Sequence, residues 1–307
     1  MPGAGRQRGF AGDGSVKRNR LRALASAVLR AIFRFLSRAY VAGPELSDAI
    51  GAFDRFAARG HGGTIGYFND SGEPPRRIAD LDLATLDALA SGPHGRRDAY
   101  LSIKVPAMHY DAELVGEIAR KSRDTGIGMH FDSHEIEKAD RTFDSIEVAL
   151  REEPPQVGCT LPGRWARSLT DVDRAVARSL RVRVVKGQWA DPAQPDVDMR
   201  AGFLAVIDQL AGRARMVAIA SHDPVVARAS VQRLRAAGTP CELELLFGLP
   251  MRAALAVARD EGVPVRVYVP FGVAWVPYAL SQLRRRPGLL WWMVRDALAI
   301  HRRRTPG

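Results

Sequence analysis

The chain has 307 residues, 46% of them hydrophobic and 26% charged, with 28 Gly, 19 Pro and 2 Cys. These values exclude a disordered tail, a collagen-like repeat and a disulfide-stapled mini-domain, and the length fits one large α/β domain or two ordinary ones. The net charge of +11 suggests a nucleic-acid partner, but its distribution argues against one. Nine Arg/Lys and one Asp fall in residues 1–40, and seven Arg and one Asp in residues 284–307. The 243 residues between them therefore sum to −3.

The basic ends come first and last in chain order. Leu21 to Tyr40 reads as an Arg-studded amphipathic helix, and Leu289 to Met293 is an aromatic-apolar knot between arginines. Such segments lie on anionic membrane surfaces, or pack on a domain as solvated basic helices. The first 40 residues are also Arg-rich and acid-poor, as an organelle transit peptide is. The apolar run Leu289–Val294 is too short to span a bilayer. Cys159 and Cys241 each sit in an apolar run and read as buried free thiols.

Between the ends, eight β-rich runs recur about every 29 residues, the length of a βα unit. They are Thr64–Phe68, Tyr100–Lys104, Gly128–Asp132, Gln156–Thr160, Val182–Lys186, Met216–Ala220, Cys241–Leu245 and Val265–Val269. Helical patterns separate them. Asp111, Thr170 and Asp223 followed by Pro224 are expected N-caps, and Gly126, Gly238 and Gly262 expected stops. So regular an alternation predicts an α/β fold, a (β/α)8 TIM-type barrel, with residues 1–62 as an N-terminal basic helical arm, 63–287 as the barrel and 288–307 as a basic aromatic C-terminal segment.

A barrel gathers its chemistry at the C-terminal ends of the strands. There stand Lys104, Asp132, Lys186, Trp189, Ser221, His222, Glu244 and Tyr268, whereas the strand starts are bland. One alternative reading is a metal-dependent barrel hydrolase using His130, Asp132, His222 and Glu244. Another is a non-catalytic barrel that only binds. No HxH, HExxH, GxSxG, GxGxxG or Walker pattern occurs, and no metal is expected.

Several motifs in register point further. Arg181–Trp189 (RVRVVKGQW) resembles the RLVKGAY segment of proline dehydrogenases, Ala218–Asp223 (AIASHD) their ATHN turn, and Leu243–Pro250 (LELLFGLP) their FQMLYGM. Val265–Tyr278 (VRVYVPFGVAWVPY) resembles VRxYVPYGxxWxPY, and YLSIKVPAMHYD, MHFDSHE and YVAGPELSDAI have similar counterparts. The resemblance runs from about Tyr40 to Pro287. It implies a distorted (β/α)8 barrel that holds FAD at its strand ends, takes hydride from L-proline to flavin N5 and passes electrons to membrane quinone.

Carried over by position, the resemblance puts Lys104 by the substrate carboxylate with Asp132 paired to it, and Arg183 near flavin N5. Lys186, Gly187, Gln188, Trp189, Ser133, Pro162, Ser221 and His222 would line the cofactor, and Tyr268 and Tyr278 the substrate pocket. The pattern breaks on the substrate side. The family's YxxRRLxE, whose adjacent arginines clamp the carboxylate, reads here with Ser281 and Gln282 in their place and Arg285 where Glu stands. A flavin-contacting Gln becomes Pro162, and the Tyr of KGAY becomes Trp189. The expectation is an FAD-dependent oxidoreductase of L-proline or a related cyclic amino acid or amine. It would be cytoplasmic, with its basic ends as peripheral contacts on the inner face of the membrane.

Overall fold

A computed structural model of the chain describes residues 42–70, 72–92 and 98–272. Helix α1 (Leu46–Ala57) comes first, and seven βα units follow before a last strand. The strands are β1 (Gly62–Tyr67), β2 (Ala99–Ile103), β3 (Gly128–Phe131), β4 (Val157–Pro162), β5 (Arg181–Val185), β6 (Met216–Ala220), β7 (Cys241–Leu246) and β8 (Val265–Phe271). Between them lie α2 (Pro75–Ala90), α3 (Ala112–Thr125), α4 (Ala139–Leu150), α5 (Ser168–Ala177), α6 (Met199–Leu210), α7 (Pro224–Ala236) and α8 (Arg252–Glu261). All eight strands are parallel, and β8 pairs with β1 to close the barrel. The expected (β/α)8 architecture is the one observed, each strand within two residues of its expected bounds.

Closure follows from which side chains each strand can bury. Outward positions are apolar throughout: Leu101, Ile103, Met129, Phe131, Val182, Val184, Val217, Ile219, Leu243, Leu245, Val267 and Val269 are all at most 1% exposed. Burying each contributes roughly 1.5–3 kcal/mol, and together they force helices onto the outer face. The helices answer with matching stripes, such as Val115, Ile118 and Ala119 on α3. The α1 helix, from the segment ahead of residue 63, packs against β1 and β8.

Local punctuation sets the loops. Asp111 caps α3, its carboxylate accepting from the backbone N–H groups of Glu113 (2.9 Å) and Leu114 (3.2 Å). Asp223 caps α7 through Val225 N–H, with Pro224 at the first helical position. Gly126 and Gly262 end α3 and α8 in the left-handed region. Thr170 is a correction: α5 begins at Ser168, so Thr170 lies within its first turn and its hydroxyl donates to Arg167 O (2.8 Å).

The barrel interior is charged where such barrels ordinarily carry bulky aliphatic layers. Arg181, Arg183, Glu242, Glu244 and Arg266 all point inward and are at most 5% exposed. They are tied in one network. Arg181 bonds both Glu242 and Glu244, Arg266 bonds Glu242 (2.8 Å), and the Tyr100 ring lies between the Arg181 and Arg266 guanidinium groups at 4.8 and 4.4 Å. His130 faces Thr160 and Arg181. Opposite it stands Gly158, where a Cβ would be 2.2 Å from His130 Nδ1.

Candidate functional site

Above this floor, at the carboxyl ends of β2, β3, β5 and β8, polar side chains converge on Asp132. Its Oδ1 accepts from Ser102 Oγ (2.7 Å) and Arg183 Nη1 (2.7 Å), and its Oδ2 from Tyr268 Oη (3.0 Å). Lys104 Nζ lies 3.3 Å from the same Oδ2. Strand alternation explains the grouping. Ser102 pairs with His130 and Thr64 with Tyr268 in register, so residues two further along each strand share the inward face at the mouth.

Electrostatics fixes the protonation states. Burial alone would raise the Asp132 pKa, but the Lys104 and Arg183 cations outweigh it and hold the carboxyl well below its usual range. Burial, helped by the Asp132 charge, pushes the Tyr268 phenol well up, so it stays a neutral donor. The Glu244 carboxyl resists the same burial because Arg183 and Arg181 face it, and it stays ionised. His130 is neutral, desolvated and beside two arginines. Lys104, Arg181, Arg183 and Arg266 therefore stand against Asp132, Glu242 and Glu244, a net single positive charge within the barrel.

Each cation has a distinct setting. The Lys104 ammonium is pinned by Tyr67 O (2.9 Å), Tyr268 Oη (3.4 Å) and Asp132, and sits 4.0 Å from the Phe68 ring centroid. Arg183 bonds Asp132 with Nη1 and Glu244 with Nη2 (2.6 Å), while its buried Nε–H meets no acceptor among the described residues. A buried guanidinium N–H without a partner costs free energy unless a ligand supplies the acceptor.

The remaining expected residues lie around this centre. Gly187, just past β5, adopts φ +91°; a Cβ there would also meet Arg164 and Pro162 at 2.8 and 2.9 Å. Lys186 Nζ is 3.8 Å from Asp223, and Gln188 O accepts from Arg164 Nη1. The Trp189 ring stacks on His134 with centroids 5.7 Å apart, and Trp189 O accepts from Trp165 Nε1. Pro162 O accepts from Ser168 Oγ. Ser133 and His134 line a small cavity with Cys159 and Leu161. Ser221 Oγ accepts from Asp223 N–H (3.2 Å).

His222 has no ring nitrogen left for a ligand. Nδ1–H donates to Pro250 O (3.0 Å), and Nε2 accepts from Leu246 N–H (3.0 Å). It locks the β6 loop to the end of β7 and offers a ligand only its ring. Among the described residues no three His, Cys, Asp or Glu side chains converge as a metal site. Tyr278, Ser281, Gln282 and Arg285 lie outside the described residues.

Sequence reasoning missed Ser102, Phe68, Thr64 and the Arg181–Glu242–Arg266 floor. The available signal was charge alternating with valine and leucine in RVRVV, CELEL and VRVYV. In an open sheet that pattern reads as a solvent-facing edge. In a closed barrel the charged positions face the interior.

Fold and site together define a (β/α)8 barrel with a buried, ion-paired mouth. No family model matches the chain. By sequence it is similar to proline dehydrogenase 1 of Bacillus subtilis subsp. natto, 24% identical over 272 residues, covering 83% of this chain and 88% of the relative. It is likewise 24% identical to the proline dehydrogenase of Deinococcus radiodurans over 271 residues, 82% of this chain and 86% of that one. Over most of its length the chain is thus similar to proline dehydrogenases, at about a quarter of identical positions.

Solved structures agree on the fold. Proline utilization A from Bdellovibrio bacteriovorus, inactivated by N-propargylglycine, superposes with a TM-score of 0.71 at 15% identity over 89% of this chain. Proline utilization A from Corynebacterium freiburgense gives 0.67 at 19% identity over 94%. The chain spans about one third of the length of either of those proteins, 33% and 35%.

Proposed function

We propose that the protein is an FAD-dependent oxidoreductase of proline dehydrogenase type, acting on L-proline or a related cyclic amino acid or amine. The observation that carries the reading is Arg183: buried at the barrel mouth, held by two carboxylates, with a buried N–H that meets no acceptor among the described residues. A flavin fits that setting, since its ring system presents hydrogen-bond acceptors and gains negative charge on reduction. Arg183, Lys186, Trp189 and the backbone of Gly187 and Gln188 would hold it, with the faces of His222 and Pro162 and the Ser133 and Ser221 hydroxyls at its margin. When bound, FAD supplies the electron sink for the two electrons that leave the substrate's C–N carbon as hydride.

The chain's own residues do the rest. Asp132, kept ionised, anchors Lys104, Arg183 and Tyr268 and so fixes the polar wall of the mouth. Lys104 contributes a fixed positive charge toward a substrate carboxylate, and Tyr268 walls the pocket with a neutral phenol. Tyr278, Ser281, Gln282 and Arg285 complete the substrate side in this reading. With Ser281 and Gln282 in place of a guanidinium pair, carboxylate binding loses roughly 1.5–3 kcal/mol per charged hydrogen bond. The physiological acceptor would be a membrane quinone, reached through the basic termini. Among the described residues no helix is long and apolar enough to cross a membrane.

The test is an absorbance spectrum of purified protein, followed by anaerobic L-proline. Flavin bands that bleach support proline as substrate. Bands that persist with proline but bleach with decarboxylated or N-substituted ring amines move the substrate class. Absence of flavin after FAD supplementation overturns the reading.

A further inference from the structure

We propose that Glu244 is a positioning residue of the flavin site: it holds the Arg183 guanidinium and partly offsets its charge, setting how readily the bound flavin accepts electrons. The inference rests on the flavin reading above. It starts from one contact, Arg183 Nη2 to Glu244 Oε1 at 2.6 Å, with both side chains buried. Arg183 Nη1 is bound to Asp132, and the buried Nε–H meets no acceptor among the described residues.

The topology makes the contact. Arg183 is on β5 and Glu244 on β7, with β6 between them. Ala218 pairs with Arg183 in register, and Ala220 follows on the same face. Two small side chains on the intervening strand leave the gap across which the long ones meet.

Glu244 is not a spare charge. Its Oε2 takes Arg181 Nη2 (2.7 Å), and its Oε1 also accepts from Thr64 Oγ1 (3.0 Å). It is 3% exposed, so water does not screen it from the mouth. A cation beside an electron-accepting ring stabilises the reduced state, and a carboxylate beside that cation takes part of the stabilisation away. Glu242 is the natural comparison. It lies in the same buried network but pairs with Arg181 and Arg266, not with Arg183.

The experiment titrates the flavin of the intact holoprotein against a reference dye in wild type, Glu244→Gln, Glu242→Gln and Thr64→Val. Glu244→Gln keeps an oxygen to accept from Arg183 and loses the charge. It is expected to shift the reduced-to-oxidised ratio toward reduced at least tenfold, about 30 mV for a two-electron couple. Glu242→Gln is expected to stay within twofold of wild type. Thr64→Val removes the hydroxyl that donates to Glu244 and so shifts the ratio at least twofold the other way. That variant carries the test on its own should Glu244→Gln not fold.

An unmoved ratio in Glu244→Gln overturns the inference. So does an equal shift in Glu242→Gln, which would mark a general response to a lost buried charge, or a shift toward reduced in Thr64→Val. A wild-type protein with no flavin spectrum overturns the flavin reading and this inference with it, and is seen before any titration begins.

Discussion

At the scale of single residues, the mouth of the barrel is a problem of shared charge. Asp132 serves Lys104, Arg183, Ser102 and Tyr268 at once. Removing one partner from a buried ion-paired cluster leaves uncompensated charge, at a cost of about 3 kcal/mol. Asp132→Asn is therefore expected to lower the unfolding free energy measured in urea by an amount of that order and to abolish substrate-dependent flavin bleaching; a variant with wild-type stability would show that the cluster does not depend on this carboxylate. On the substrate side, Ser281→Arg with Gln282→Arg is expected to lower the KM for proline at least tenfold, and an unchanged KM would mean a pocket rebuilt for another ligand. Lys104 and Asp132 stood out in the sequence because an ionisable residue ending a hydrophobic strand is conspicuous, whereas Arg183, in the middle of β5, was singled out only by the family resemblance. His222 was equally conspicuous, but its partners, Pro250 O and Leu246 N–H, lie 28 and 24 residues downstream. No local pattern announces that both of its nitrogens are spent.

At the scale of elements, the strands were legible and their interior was not. Short β-rich runs recurring about every 29 residues, the length of a βα unit, located all eight. What fills the inside depends on pairs set by barrel closure, such as His130 over Gly158, and these join strands about 30 residues apart. Gly158→Ala would place a methyl 2.2 Å from His130 Nδ1 and 2.9 Å from Arg181 O. Backbone on one side and a fully buried ring on the other leave little room to yield, so a loss of about 1–3 kcal/mol is expected in chemical denaturation.

The α2 helix adds a pH dependence. In its buried stripe Asp82 is 2% exposed, with Oδ2 accepting no hydrogen bond among the described residues. Burial pushes its pKa up to about 8, with Lys104 opposing and Asp132 adding. Other charges on the elements around it are engaged elsewhere: Glu117 and Lys121 of α3 pair with Arg76 and Asp87 on the outer side of α2. Unfolded, Asp82 ionises near 3.8. Between about pH 4 and 8 the folded protein holds a proton that the unfolded chain has released. Stability therefore falls as pH rises, by at most about 1.4 kcal/mol per pH unit, and the penalty is absent below pH 4. Asp82→Asn removes it, so the Tm advantage of the variant should widen from pH 5 to pH 8. The buried histidines, whose pKa values are lowered, cost stability on the acid side in both proteins and cancel in the difference. A constant Tm gap across that range would sink the account.

At the scale of the whole molecule, charge is segregated along the chain. Residues 41–283 sum to −3, while residues 1–40 and 284–307 carry +8 and +6. A near-neutral barrel gains nothing from a uniformly basic surface, so the concentration of arginine at the two ends asks for an anionic partner. Arginine within the apolar runs and the Trp291-Trp292 pair suit a lipid surface better than nucleic acid, because aromatic rings settle at the headgroup level. The full chain is expected to sediment with vesicles of anionic lipid at low salt. It should release them at about 0.5 M salt, where the Debye length has shrunk to a few ångströms, and should ignore vesicles of zwitterionic lipid. Binding to both lipids that persists in high salt would show apolar insertion instead. No binding to either would show that the basic ends do not serve as a membrane contact.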